Sequence, residues 1–394
     1  WSTIKTVLGW VIDTVSMTIH LPPHRIERLG EILSQIPRSQ KRTSVKKWHR
    51  LLGELRSMSL ALPGARHLFS HMQHALTTKS KGRIALRKGV HDAISDFQWI
   101  LNNISTRPTR IAEVVPLRAS AVGHHDASGL GAGGAWFPAD TLSCRQGYKH
   151  APLLWRLQWP EHIRSQLITE HNPTGTITIS DLELAGGLLH LDALAQAFDI
   201  RERTVLSKTD NLPTLFWQRK ASATTDRVPA HLLRLFGIHQ RFYQYVPRHD
   251  YLPGGSNKIA DDTSRLFELN NIAFLTHFNT TYPQHTSFQL YQPRPEMVSA
   301  VISALQQKRS KPESLLAEQK PPIPRGPNGN VSHLTWASIP YSKPSKIRYQ
   351  SCKSSPYEFE KEALQSKDMP SALEQLKITY GSLAKRSLEW GPKT

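Results

Sequence analysis

Four acidic residues, Asp126, Glu183, Asp210 and Asp261, stand at places from which a fold could gather carboxylates. Asp126 follows an apolar run and precedes a glycine-rich stretch that ends on Ala135-Trp136-Phe137-Pro138, so strand, tight turn and strand place it at a strand end. Glu183 stands where a long apolar helix opens. Asp210 ends the β-branched run of residues 204–209 and precedes Asn211-Leu212-Pro213, where a helix starts. Asp261 and Asp262 fall in the first turns of a helix after Pro253-Gly254-Gly255. Carboxylates held together repel one another unless cations neutralise them. Hard oxygen ligands suit Mg²⁺ or Mn²⁺, and a two-metal phosphodiester site, with ions about 4 Å apart, requires several of them.

Each position also has a plainer role. Asp126 suits a turn, Ser180 and Glu183 are spaced as a capping box, Asp210 suits a helix cap, and Asp261 favours a helix dipole. Taken alone, these roles are preferable for most of the four. Their order and placement on elements carry the metal-site reading.

The elements that must position them follow from periodicity. Residues 6–13 and 15–21 are rich in β-branched and aromatic residues and read as a hairpin turning at Asp13-Thr14. Helical spacing covers residues 25–36, a second helix beginning at Ser44, and residues 65–76 and 90–104. From residue 119 short strands come first, followed by a helix over 181–198, a strand over 204–209, helices over 212–220 and 230–243, a strand over 245–247 and a helix over 257–266. That order predicts a mixed α/β domain. Gly129, Gly131 and Gly134 form a literal Gly-x-Gly-x-x-Gly, but a strand rather than a helix follows, which argues against a dinucleotide site. Residues 153–173, with Trp155 and Trp159, read as an insertion without assigned function. Beyond about residue 270 the chain is rich in Pro, Ser, Gln and Lys and reads as linker, and helical spacing returns over 357–390.

Composition narrows the partners. The chain has 394 residues, 39% of them apolar, and a formal charge of +19, which attracts polyanions such as nucleic acid. No long apolar segment and no basic helix with a clean apolar face supports a membrane partner. Cys144 and Cys352 have neither disulfide-framework nor zinc spacing, and an intracellular protein, in cytoplasm or nucleus, is expected. The opening at Trp1 on an apolar stretch reads as a fragment that begins inside a domain.

Four segments resemble the ordered motifs of retrotransposon ribonuclease H domains: His124-His125-Asp126-Ala127-Ser128-Gly129, Ser180-Asp181-Leu182-Glu183-Leu184-Ala185, Ser207-Lys208-Thr209-Asp210-Asn211, and residues 253–265. The ending Ala260-Asp261-Asp262-Thr263-Ser264-Arg265 is similar to the Ala-Asp-Ala-Leu-Ser-Arg ending of retroelement polyproteins, which gives the last ligand position to Asp261. Residues 8–23 and the basic helices around Trp48 resemble the region after the polymerase catalytic strands and the thumb.

The resemblance implies a ribonuclease-H-like mixed sheet flanked by helices over 117–268, a palm end and thumb-like region over 1–112, and linker with C-terminal helices over 269–394. It also implies metal-dependent hydrolysis of the RNA strand of an RNA/DNA hybrid, two Mg²⁺ or Mn²⁺ ions on Asp126, Glu183, Asp210 and Asp261, and no small-molecule cofactor. The family often has a histidine ten residues before the last aspartate. Here that slot holds Tyr251, with His249 two residues earlier; the resemblance leaves open whether His249 or Tyr251 takes the role or the step is slower. The polymerase Asp-Asp motif is absent. Lys46, Lys47, Arg50, Arg219, Lys220 and Arg227 are the expected phosphate contacts. The alternatives are a catalytically inactive nucleic-acid-binding remnant, or another nuclease or integrase on the same fold.

Overall fold

β-branched and aromatic residues at the start form strands, and a turn follows Asp13 as expected, over residues 14–17, with an additional earlier turn at residues 8–9. In the computed structural model, which describes residues 2–78, 82–104 and 107–311, β1 (Ile4–Val7) turns through Leu8-Gly9 into β2 (Trp10–Asp13). Leu8 and Gly9 take φ of 52° and 78°, the two left-handed residues of a tight hairpin. β3 (Thr18–His20) pairs with β2, so the expected hairpin is a three-strand meander. After Pro22, α1 (Pro23–Ser34) begins, followed by β4 (Arg42–Ser44) and α2 (Val45–Ser59). Ser44 caps α2 by accepting the Lys47 N–H, as its position in the sequence predicts. α3 (Ser70–Thr77), β5 (Arg83–Ala85), α4 (Lys88–Ile104) and β6 (Thr109–Arg110) complete this region around a core that includes Trp48, Leu52, Phe69 and Phe97.

The second part is a mixed sheet flanked by helices. Its elements are β7 (Ala119–Ala127), β8 (Gly131–Pro138), β9 (Leu153–Gln158), the short α5 (Glu161–Arg164), α6 (Ile179–Ala197), β10 (Thr204–Thr209), α7 (Leu212–Lys220), α8 (Val228–Tyr243), β11 (Val246–Tyr251) and α9 (Lys258–Arg265). β7, β8 and β9 are antiparallel neighbours, whereas β10 and β11 run parallel to β7. Residues 153–158 are therefore a central strand of the sheet and not an insertion. Trp155 N–H donates to His190 and Trp159 N–H to the Ser128 carbonyl, so both indoles are core residues.

The linker expected from residue 269 also differs. α10 (Asn271–Thr281), β12 (Gln289–Tyr291) and α11 (Pro295–Leu305) follow directly. β12 adds in parallel beside β9, giving the order β11-β10-β7-β8-β9-β12. Phe274 and Phe278, four residues apart on α10, are fully buried, which accounts for a fold where composition reads as linker. The helical pattern over 357–390 and Cys352 lie outside the described residues.

α6 is apolar almost all round, so it must be enclosed. It runs under the sheet with α8 and α11 against its other sides. Its most deeply buried acid, Asp192, is paired with Arg294 at 2.7 Å and His239 at 3.4 Å. The first region meets α8 closely: a Cβ on Gly64 would stand 2.1 Å from the Gly237 carbonyl oxygen, and buried Asp96 holds Arg234 at 2.5 and 2.8 Å. Among the described residues no helix is long and apolar enough to cross a membrane.

Candidate metal centre

The sheet brings Asp126 within reach of a helix because its neighbour lacks a side chain. Asp126 pairs with Gly133 of β8, where a Cβ would lie 2.5 Å from Thr263 Oγ1. Helix α9 thus rests directly on the sheet, and its Ser264 hydroxyl lies 2.6 Å from Asp126 Oδ2. Ser128 fills the turn role instead of Asp126: its Oγ accepts from the Leu130 and Gly131 N–H groups.

Glu183 is freed from capping. The N-cap of α6 is Thr178, whose Oγ1 accepts the Asp181 N–H at 3.2 Å while Asp181 Oδ2 accepts the Thr178 N–H at 2.8 Å. The helix starts at residue 179, so the Thr178–Asp181 pair forms the box expected from Ser180 and Glu183. Likewise Asn211, not Asp210, caps α7 by accepting the Thr214 N–H at 3.0 Å. Both acids are left for another task.

Ligand oxygens of Asp126, Glu183 and Asp210 lie within 4.8 Å of one another. Asp126 and Glu183 are 6% and 4% exposed, and Asp210 is half-buried. Burial, then the Asp126 and Asp210 charges, push the Glu183 carboxyl well above its ordinary range. Burial and Asp126 push Asp210 up as well. Glu183 Oε2 is buried without a hydrogen-bond partner. An orphaned buried carboxylate oxygen beside two more carboxylates fits a divalent cation, which would satisfy the oxygen and cancel the repulsion.

Asp261 stands in the first turn of α9, as expected, but outside that close group. It is paired with Arg265 and is 46% exposed. The structure does not bring His249 to the carboxylates. His249 is level with Ser207, and Ser207 Oγ meets His125 Nδ1 at 3.1 Å on the α6 face of the sheet. Side chains alternate along a strand, so Asp126, next to His125, projects to the α9 face. Burial, with His125 second, holds His249 down to about 3, so its ring is neutral. Tyr251, two residues on, shares the His249 face.

Lys46, Lys47, Arg50, Lys220 and Arg227 are exposed. Arg219 is engaged: it donates to the His249 carbonyl at 2.9 Å and pairs with Asp250 at 2.7 Å. Sequence reasoning missed Ser264, Ser128 and Asn257. Buried Asn257 donates from Nδ2 to the His125 carbonyl at 3.2 Å, tying the start of α9 to β7. Their only signal is position, polar residues at turns and helix starts beside the acids.

No protein-family model matches the chain, and no curated protein matches it. It is similar to solved structures of a foamy viral protease-reverse transcriptase. One, in complex with double-stranded DNA, has a TM-score of 0.24 at 12% identity over 63% of this chain. A second, with an RNA/DNA hybrid, has a TM-score of 0.25 at 11% identity over 64% of it. The chain spans 38% and 30% of those two chains, so it matches well under half the length of either.

Proposed function

We propose that this chain hydrolyses the RNA strand of RNA/DNA hybrids in the manner of ribonuclease H, as part of a retroelement reverse transcriptase. The observation that carries the reading is the convergence of Asp126, Glu183 and Asp210 from a strand, a helix and a strand end, with Glu183 Oε2 buried and unpartnered. Its plainer alternatives are removed by Thr178, Asp181 and Asn211, which do the capping. Asp261 is the fourth carboxylate of the proposal. The hybrid as substrate comes from the motif resemblance, above all the ending at residues 260–265.

The three close carboxylates would hold Mg²⁺ or Mn²⁺, and such an ion would supply activation of a water and charge stabilisation at the scissile phosphate. The chain's own part is placement. Ser264 fixes Asp126, and Asn257 holds α9 to the sheet. Lys46, Lys47, Arg50, Lys220 and Arg227, exposed on a strongly basic protein, supply backbone contacts that read duplex shape and not sequence. His249 is not part of the catalytic set proposed.

The purified chain is incubated with Mg²⁺ or Mn²⁺ and labelled RNA/DNA hybrid, RNA duplex and DNA duplex, beside Asp210→Asn. Metal-dependent cutting of the hybrid alone, lost in the variant, is the expected result. Hybrid binding without cutting would overturn the reading in favour of an inactive remnant, and equal cutting of duplex DNA would favour a broader nuclease.

A further inference from the structure

The fourth acidic residue already faces a cation. Arg265 Nε and Nη2 each lie 2.7 Å from Asp261 Oδ1, one turn apart on α9. The other three acids share a space 4.8 Å across that does not include Asp261, and Glu183 Oε2 within it has no partner. An arginine guanidinium keeps its charge, so this countercharge is permanent.

We propose that Arg265 is a positioning residue that stands in for a divalent cation at Asp261, so that loading the site with metal requires the Arg265–Asp261 pair to open. The proposal rests on the metal-site reading of Asp126, Glu183 and Asp210. Two effects act in one direction. The pair withholds a carboxylate from the ion, and the guanidinium repels a second cation nearby. Both side chains are about half exposed, so the pair is weak enough to open.

The test measures Mn²⁺ binding to the full chain by calorimetry at low salt, with Arg265→Ala, Arg265→Gln and Arg265→Lys. Exposed ion pairs shift equilibria by roughly 1.5- to 5-fold, so the Ala and Gln variants are expected to bind Mn²⁺ about two- to fivefold more tightly. The Lys variant keeps the charge and stays closer to the wild type. In an Asp261→Asn background the gain shrinks, because no carboxylate remains to be released. Unchanged or weaker binding in the Ala and Gln variants would overturn the proposal, and so would an equal gain in both backgrounds, which marks a long-range charge effect alone. Failure of the underlying metal site looks different: the wild type then shows no Mn²⁺ binding that Asp210→Asn abolishes, and both readings fall.

Discussion

Ser264 Oγ lies 2.6 Å from Asp126 Oδ2 and 2.9 Å from the Asp261 carbonyl oxygen, so one buried hydroxyl joins the central strand to the helix that carries the fourth acid. Groups that orient ligands from behind typically set metal affinity by about 10- to 100-fold. Ser264→Ala is therefore expected to weaken Mn²⁺ binding by about tenfold at a stability cost of about 1 kcal/mol. Calorimetry beside urea unfolding checks it, and undiminished Mn²⁺ affinity would show that Asp126 is oriented without the hydroxyl.

Asp210→Asn removes one charge from a cluster that burial and Asp126 already strain. Without metal the variant is expected to be as stable as the wild type or more so, by about 0.5–1 kcal/mol, since function-bearing charges often oppose stability. With Mn²⁺ the wild type gains thermal stability through binding and the variant does not. Thermal melts with and without Mn²⁺ read both halves, and a Mn²⁺-dependent rise in the variant equal to the wild type's would contradict the site.

Burial holds His67 down to about 4 from an ordinary value of 6.5, and holds His190 well below it. Between those limits the unfolded chain binds protons that the folded chain refuses. For His67 the contribution is thus fully kept above pH 6.5 and is lost as pH falls toward about 4, by about 1.4 kcal/mol per pH unit, and His190 acts in the same direction. Urea midpoints are expected to fall between about pH 7.5 and 5, and His67→Gln should flatten the slope. Midpoints that hold steady over that interval would refute the argument.

Arg294→Ala leaves Asp192, 1% exposed, without its closest cation. Breaking a buried pair from one side typically costs about 3–5 kcal/mol. A chain ended at residue 268 loses Arg294, β12 and α11 together and is expected not to fold cooperatively. Circular dichroism and denaturant melts decide both, and a truncated chain with a wild-type transition would show that α10, β12 and α11 are dispensable.

How much of this is legible in the sequence depends on whether the signal is local. Residues 204–209 and 212–220 match β10 and α7 to the residue, because a β-branched run followed by an Asn cap and Pro needs no distant partner. α6 starts two residues before its expected position, and that small shift decides which acid does the capping. The meeting of Asp126, Glu183 and Asp210 follows from motif order, but the turning of Asp261 toward Arg265 does not. β9 reads as insertion and β12 as linker because a strand of three to six residues shows itself mainly by what it pairs with. The placement of His249 is a matter of strand register, and one position along β11 moves a side chain to the other face.

β12 has a consequence for the protein's solubility. An open strand edge is a template on which other chains can add and start aggregation. This sheet ends on one side in a strand only three residues long, whose Gln289 side chain donates to the Lys149 and Ala151 carbonyls. On the other side it ends in β11, where Pro247 lacks an N–H and Arg248 and Asp250 put charge along the rim. Both borders of the sheet thus resist the addition of a foreign strand.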